Sequence, residues 1–250
     1  RIAASGKRVV LQSIENSYPL ELEIANLKTF YDKGVRMVGL IHFRDNQFGG
    51  SATDFTSPDS AGLTDLGKDL VREANRLGMV IDGSHSSDAS VKDMIEISTT
   101  PIILTHTGLK SVYDHPRNIS DEFLKEIAAQ GGVIQINAYS GYLEQLEDSP
   151  ERRAALEGLK TEFDGVEPAT ADPDTVARYM ARMGEINAQF PPPRSSFEKF
   201  MEHMLRALEL VGPDHVGMGA DWDGGGGVEG MEDVSFLPKV TERLLAEGYS

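Results

Sequence analysis

The sequence predicts an α/β fold in which parallel strands alternate with helices and curl toward a barrel. Two observations lead there. Apolar runs of strand length alternate six times with amphipathic helical patterns, an order that implies a parallel sheet with right-handed crossovers. Polar residues of ligand type also stand where the strands open into loops: three runs finish in a histidine, at His42, His85 and His106, and two in a carboxylate, at Glu15 and Asp221. A doubly wound open sheet concentrates its site at one switch point, whereas a barrel gathers residues from many strand ends onto one face.

Each element has its own signal. Residues 8–14 read as a strand, 21–33 as a helix closed by Gly34, and 35–42 as a second strand. The stretch 43–63, rich in Gly, Ser, Asp and Thr, reads as a long loop, and 65–77 as a helix stopped at Gly78, where a left-handed cap suits glycine. Strand 79–82, helix 88–98 and strand 101–105 follow, then helix 121–130 with Ser120 as its N-cap and strand 132–137. The alternation breaks over about 140–195. That stretch is charge-rich from Glu144 to Glu157, acidic from Asp164 to Asp174, and carries a helix near 174–189 that runs into Pro191-Pro192-Pro193. It predicts a helical insertion in a single domain spanning 1–250, either a lid, an oligomer contact or a plain surface excursion. Helix 196–211 carries Phe197, Phe200, Met204, Leu208 and Leu210 as its buried stripe, and 215–221 is the last strand. Asp223-Gly224-Gly225-Gly226-Gly227 makes a mobile turn without the lysine of a phosphate loop, and helix 236–247 ends at Gly248.

Composition narrows the function. With 250 residues, 40% hydrophobic and 26% charged, the chain has the make-up of an ordinary globular protein with one substantial core. A net charge of −16 argues against nucleic acid and against an anionic membrane surface as partners. No apolar run approaches the ~20 residues of a membrane-spanning helix. The absence of cysteine removes disulfides, thiolate nucleophiles and cysteine zinc sites together.

A lone histidine after an apolar run is more often a capping or core residue than a ligand. Three in one structural role, among six histidines in the chain, point instead to a metal centre at the C-terminal strand ends. His115 in a loop, His203 in a helix and His215 just before a strand lack that placement and read as structural.

Seven short stretches carry a resemblance: Gln12-Ser13-Ile14-Glu15, Leu40-Ile41-His42, residues 75–85 ending in Asp82-Gly83-Ser84-His85, residues 101–106 ending in Thr105-His106, Pro116-Arg117-Asn118-Ile119, residues 219–224 and residues 229–235. In that order they resemble the renal (membrane) dipeptidase family, dizinc peptidases on a TIM-type (β/α)8 barrel of the amidohydrolase kind. The resemblance implies that the barrel is present here without its first two β/α units, which would precede Arg1, and that the family's C-terminal helical segment is shortened beyond Ser250. It implies Glu15 as the carboxylate bridging two zinc ions, and His85 and His106 as ligands of the second zinc. His42 becomes a substrate contact that steadies the oxyanion, and Arg117 the holder of the substrate carboxylate. Asp221 becomes the catalytic proton shuttle, in contact with substrate. The reaction implied is hydrolysis of a dipeptide's peptide bond by a metal-bridging hydroxide. Asp82 and Asp223 read as residues behind the ligands or in turns, and Asn137 and Tyr139 as a pocket wall. The family's His-x-Asp pair, which supplies the rest of the first zinc's ligands, does not occur in this sequence.

Other readings stay open at this point. Without the resemblance, Glu15 reads sooner as a loop acid, Arg117 as a surface ion-pair partner beside Asp114, and Asp221 as a turn former before Gly224; the resemblance tips each toward its functional role. A related amidohydrolase-type activity on N-acyl amino acids or lactones competes with dipeptide hydrolysis, as does a non-catalytic binding protein with an incomplete metal site. A homodimer is left open, and the resemblance tilts the expected location toward the periplasm or export over the cytoplasm.

Overall fold

The computed structural model describes residues 5–54, 56, 61–166 and 171–250. Parts of the long loop (55 and 57–60), the acidic stretch at 167–170 and the first four residues lie outside the described residues. Six strands form one sheet: β1 (Gln12–Ile14), β2 (Val35–Gly39), β3 (Val80–Asp82), β4 (Ile103–Thr107), β5 (Val133–Asn137) and β6 (Val216–Gly219). They pair in chain order, every pair parallel. A doubly wound sheet would reverse its order at a switch point, so this monotonic order is that of a barrel wall.

The curl of that wall shows at Gly219. A Cβ there would lie 1.9 Å from the carbonyl oxygen of Thr105, two strands away. Alternate strands of a flat sheet are roughly 9–10 Å apart, so β4, β5 and β6 bend sharply and only glycine fits the inner side of β6.

Helices α1 (Asn26–Asp32), α2 (Asp65–Leu77), α3 (Asp88–Ile97) and α4 (Asp121–Ala129) lie in the first four crossovers. Thr64, Ser87 and Ser120 cap the last three, each side chain accepting the N–H three residues on, a contact worth about 1 kcal/mol. Short α5 (Ser140–Leu143) leads to α6 (Pro150–Glu162) and α7 (Pro173–Gln189), which share a small core of Leu159, Phe163 and Ile186 apart from the main one. Buried Arg152 fastens this pair, donating to Asp148, to Asn187 and to the carbonyl of Phe190. Helix α8 (Phe197–Val211) buries Phe197, Phe200, Met201, Met204, Ala207 and Leu208 against the sheet, with Leu210 only half-buried. Helix α9 (Leu237–Ala246) closes the described fold.

Four elements differ from expectation. The first strand is three residues long rather than seven, and Val9, Val10 and Leu11 are exposed at 52%, 91% and 44%. Among the described residues β1 has one neighbour, and its register with β2 slips between Gln12 and Ser13, so little holds the preceding residues extended. Helix α1 begins at Asn26 instead of 21 because Tyr18–Leu20 form a 3-10 turn and Glu21 sits at φ 55°. Strand β2 stops at Gly39, while β4 is shifted to 103–107 and so includes His106.

Candidate metal centre

Glu15 directly follows β1, His106 lies inside β4, and His85 sits three residues past β3. The His85 turn is tightly held: Gly83 donates its N–H to the carbonyl of Ile103, Ser86 to that of Gly83, and Ala52 to that of His85 itself. His85 adopts a left-handed backbone, φ 67°, and this turns its imidazole back over the sheet. The result is a triangle of donor atoms: His85 Nε2 lies 2.9 Å from His106 Nε2, and Glu15 Oε1 lies 3.3 and 3.4 Å from the two nitrogens. Ligand atoms about 2.0–2.1 Å from a tetrahedral zinc stand roughly 3.3 Å apart, so the three fit one ion with a small opening of the imidazole pair. The donor set, two imidazoles and a carboxylate, suits zinc or a similar transition metal.

The electrostatics keep these donor groups ready for a cation. Both imidazoles are buried, and burial pushes them down to about 4, so they are neutral at physiological pH with a nitrogen lone pair available. Glu15, half-exposed, is held at about 2, chiefly by the hydrogen bond from His85.

His42 lies three residues past β2, its ring 4.2 Å from that of His85 and its carbonyl bound by the Ser51 hydroxyl at 2.5 Å. Burial lowers its pKa as well. Arg117 is 3% exposed, which removes the reading of a surface ion pair; its Nη2 donates to the carbonyl of His106 at 3.1 Å and its guanidinium lies 5.3 Å from the Tyr142 ring. Burial pulls its pKa down, opposed by Tyr142, Asp82, Glu15 and Asp221, so a buried cation stands among acidic neighbours. Asp221 follows β6 in a left-handed backbone, φ 58°. Burial, then Glu15 and Asp223, push its carboxyl up, while Arg117 opposes them. All six residues singled out from sequence therefore converge on the C-terminal ends of the strands.

The profile of the membrane dipeptidase family, peptidase family M19, matches residues 1–250. This chain belongs to that family. Among curated relatives it is 30% identical to an uncharacterized dipeptidase of Schizosaccharomyces pombe over 241 residues, 96% of this chain and 48% of that one. It is also 30% identical to the dipeptidase tcpJ of Claviceps purpurea over 251 residues, 100% of this chain and 48% of the relative. The chain thus spans about half the length of the curated relatives it matches. Among solved structures, the probable dipeptidase PvdM of Pseudomonas aeruginosa superposes with a TM-score of 0.79 at 29% identity, covering 100% of this chain and 66% of that one. A metallopeptidase of Rhodobacter sphaeroides, solved with a phosphinate mimic of the dipeptide L-Ala-D-Ala, superposes with a TM-score of 0.71 at 26% identity, covering 96% and 57%.

Within this member of the membrane dipeptidase family, further residues gather near the centre, Tyr142 among them with no signal of its own in the sequence. Tyr142 packs at a tilt against Tyr139 and His115, with ring centres 4.5 and 4.9 Å apart, and so walls the side where Arg117 lies. His115, expected to be merely structural, accepts the backbone N–H of Arg117 at Nδ1 and helps set its approach. Of the two residues the sequence offers as a pocket wall, Tyr139 is exposed beside Tyr142 while Asn137 is fully buried and lines no open surface, its side-chain oxygen accepting the N–H of Tyr139. His203 is structural as expected: Nδ1 accepts from Leu109 and Nε2 donates to the carbonyl of Leu143, which leaves no lone pair for a metal.

Proposed function

We propose that this protein hydrolyses the peptide bond of dipeptides with zinc held by Glu15, His85 and His106. The observation that carries the proposal is the triangle of three donor atoms, drawn from three strands and closed to within 3.4 Å. A second zinc, the number expected for the active site, would share Glu15, and its remaining donors, of His-x-Asp type, do not occur in this sequence. When bound, zinc lowers the pKa of water toward about 7 and polarises a carbonyl oxygen.

The chain's own residues supply the rest. Arg117 has donors beyond the one given to His106, and its planar fork suits the free carboxylate of a short substrate. A carboxylate one residue past the scissile bond is within such a fork's reach, whereas a longer peptide would carry its own beyond it. His42, kept neutral by burial, offers an N–H to the oxygen that gains charge. Asp221, with its carboxyl raised, accepts the proton of the attacking water and returns it to the leaving amine. The peptide mimic on the Rhodobacter sphaeroides relative supports the same substrate class.

The test is hydrolysis of dipeptides, N-acyl amino acids and a lactone, before and after chelation and zinc repletion. Zinc-dependent turnover of dipeptides is expected, and Arg117→Ala should raise KM for dipeptides while sparing a neutral amide. Preference for the acyl or lactone substrates, or zinc binding with no turnover, would overturn the assignment, and equal losses on both substrates would remove the role of Arg117.

A further inference from the structure

Asp82 and Thr105 stand directly behind the triangle. Asp82, the last residue of β3, is buried, and its carboxylate can only accept. Its Oδ1 takes the backbone N–H of Ser84 at 2.9 Å and of Thr105 at 3.1 Å, and its Oδ2 takes the Thr105 hydroxyl at 2.5 Å. A hydroxyl has one proton, and here it is committed to Asp82. Toward His106 Nδ1, 2.9 Å away, the Thr105 oxygen must therefore accept. Nδ1 then carries the single proton of the neutral ring, and Nε2 keeps its lone pair toward Glu15 and His85. Ser84 reinforces the arrangement, since its Oγ accepts the backbone N–H of His106 at 3.1 Å and lies 3.2 Å from the Thr105 hydroxyl. His85 has no such support: its Nδ1 has no hydrogen-bond partner among the described residues.

We propose that Thr105, tethered by Asp82, is a positioning residue that fixes His106 in the Nδ1–H tautomer and so presents Nε2 ready for the metal. The metal half of this proposal rests on the zinc reading above, and the tautomer half does not. A metal ligand's partner on its far side sets ring orientation and basicity, and losing it costs 10- to 100-fold in affinity as a rough expectation.

Two measurements on the whole chain test the proposal. A long-range 1H–15N spectrum of the metal-free protein, with the His106 signals identified by a His106→Gln variant, reads the tautomer directly. Competition with a chromophoric chelator reads Zn2+ affinity for the wild type, Thr105→Ser and Thr105→Val. The expected results are Nδ1–H at His106 in the wild type and in Thr105→Ser, zinc affinity in Thr105→Ser like that of the wild type, and a loss of about 10- to 100-fold in Thr105→Val. A proton on Nε2 in the wild type, or undiminished zinc affinity in Thr105→Val, overturns the proposal. A wild type that takes up no zinc overturns the metal reading and this role together, while the spectrum still decides the tautomer. Should Thr105→Val fail to fold, the wild-type spectrum remains decisive by itself.

Discussion

His85 and Asp221 both occupy left-handed backbone, at φ 67° and 58°. For a residue with a Cβ this costs on the order of 1–3 kcal/mol and persists only where neighbours over-determine it. Both side chains aim at the centre, so the strain is spent on direction. Asparagine tolerates the same conformation as aspartate, which makes Asp221→Asn a clean probe. Its melting temperature and zinc affinity should match the wild type while kcat falls about 10²- to 10⁴-fold, the usual weight of a general acid–base; an unchanged kcat would remove Asp221 from the chemistry. The two histidines of the donor triangle make a second prediction. Their folded pKa values are lowered to about 4 from an ordinary 6.5, so between those pH values the unfolded chain binds protons that the folded chain refuses. The metal-free protein should thus be fully stable above pH 6.5 and lose stability as pH falls from 6.5 to 4. Glu15, held at about 2, adds a further loss below about 4.5. Thermal melts across that range should show the upper slope flattened in His106→Asn; an identical slope would place the titration elsewhere.

At the scale of elements, the turn after β6 determines where Asp221 points. Gly226 and Gly224 both donate their N–H groups to the carbonyl of Asp221, at 2.7 and 3.0 Å, and a Cβ on Gly224 would lie 2.2 Å from Asp221 Oδ1. Gly224→Ala should therefore swing the carboxylate aside while the fold and zinc binding persist. Misplacement of a reacting group by about 1 Å is worth roughly 10²-fold in rate, and kcat measured beside zinc affinity checks it. In the sequence this glycine run reads only as a mobile turn, because the clash that makes it necessary exists only in three dimensions. The helices were far more legible: Thr64, Ser87 and Ser120 announce their starts, and Gly78, at φ 74°, ends α2 where the sequence says it should. His85 and His106, the candidate ligands, were legible too, since each stands at or just past an apolar run. What stayed hidden were residues that act through contacts across the sheet, such as Thr105 beneath His106 and Tyr142 beside Arg117, and the shortness of β1, which depends on how many neighbours a strand has.

For the molecule as a whole, a net charge of −16 means that any divalent cation relieves some self-repulsion, so a rise in melting temperature with added metal is not by itself evidence of a site. The specific part can be separated by magnitude and by chemistry. A ligand at 1,000 times its dissociation constant stabilises the folded state by about 4 kcal/mol. In a chain of this size each kcal/mol moves the melting temperature by roughly 2–4 °C, so saturating zinc should raise it by about 8–16 °C. Magnesium at the same concentration screens charge equally but prefers oxygen ligands in an octahedral shell, and two imidazoles with one carboxylate give it little. It should produce only the smaller, non-specific rise. His106→Asn separates the two components in one protein, because it leaves the surface charge untouched and removes one corner of the donor triangle. The zinc increment should shrink to the magnesium value in that variant; an equal response to the two cations in the wild type, or a zinc response that survives the substitution, would mean that the cations act on surface charge and that Glu15, His85 and His106 bind no ion.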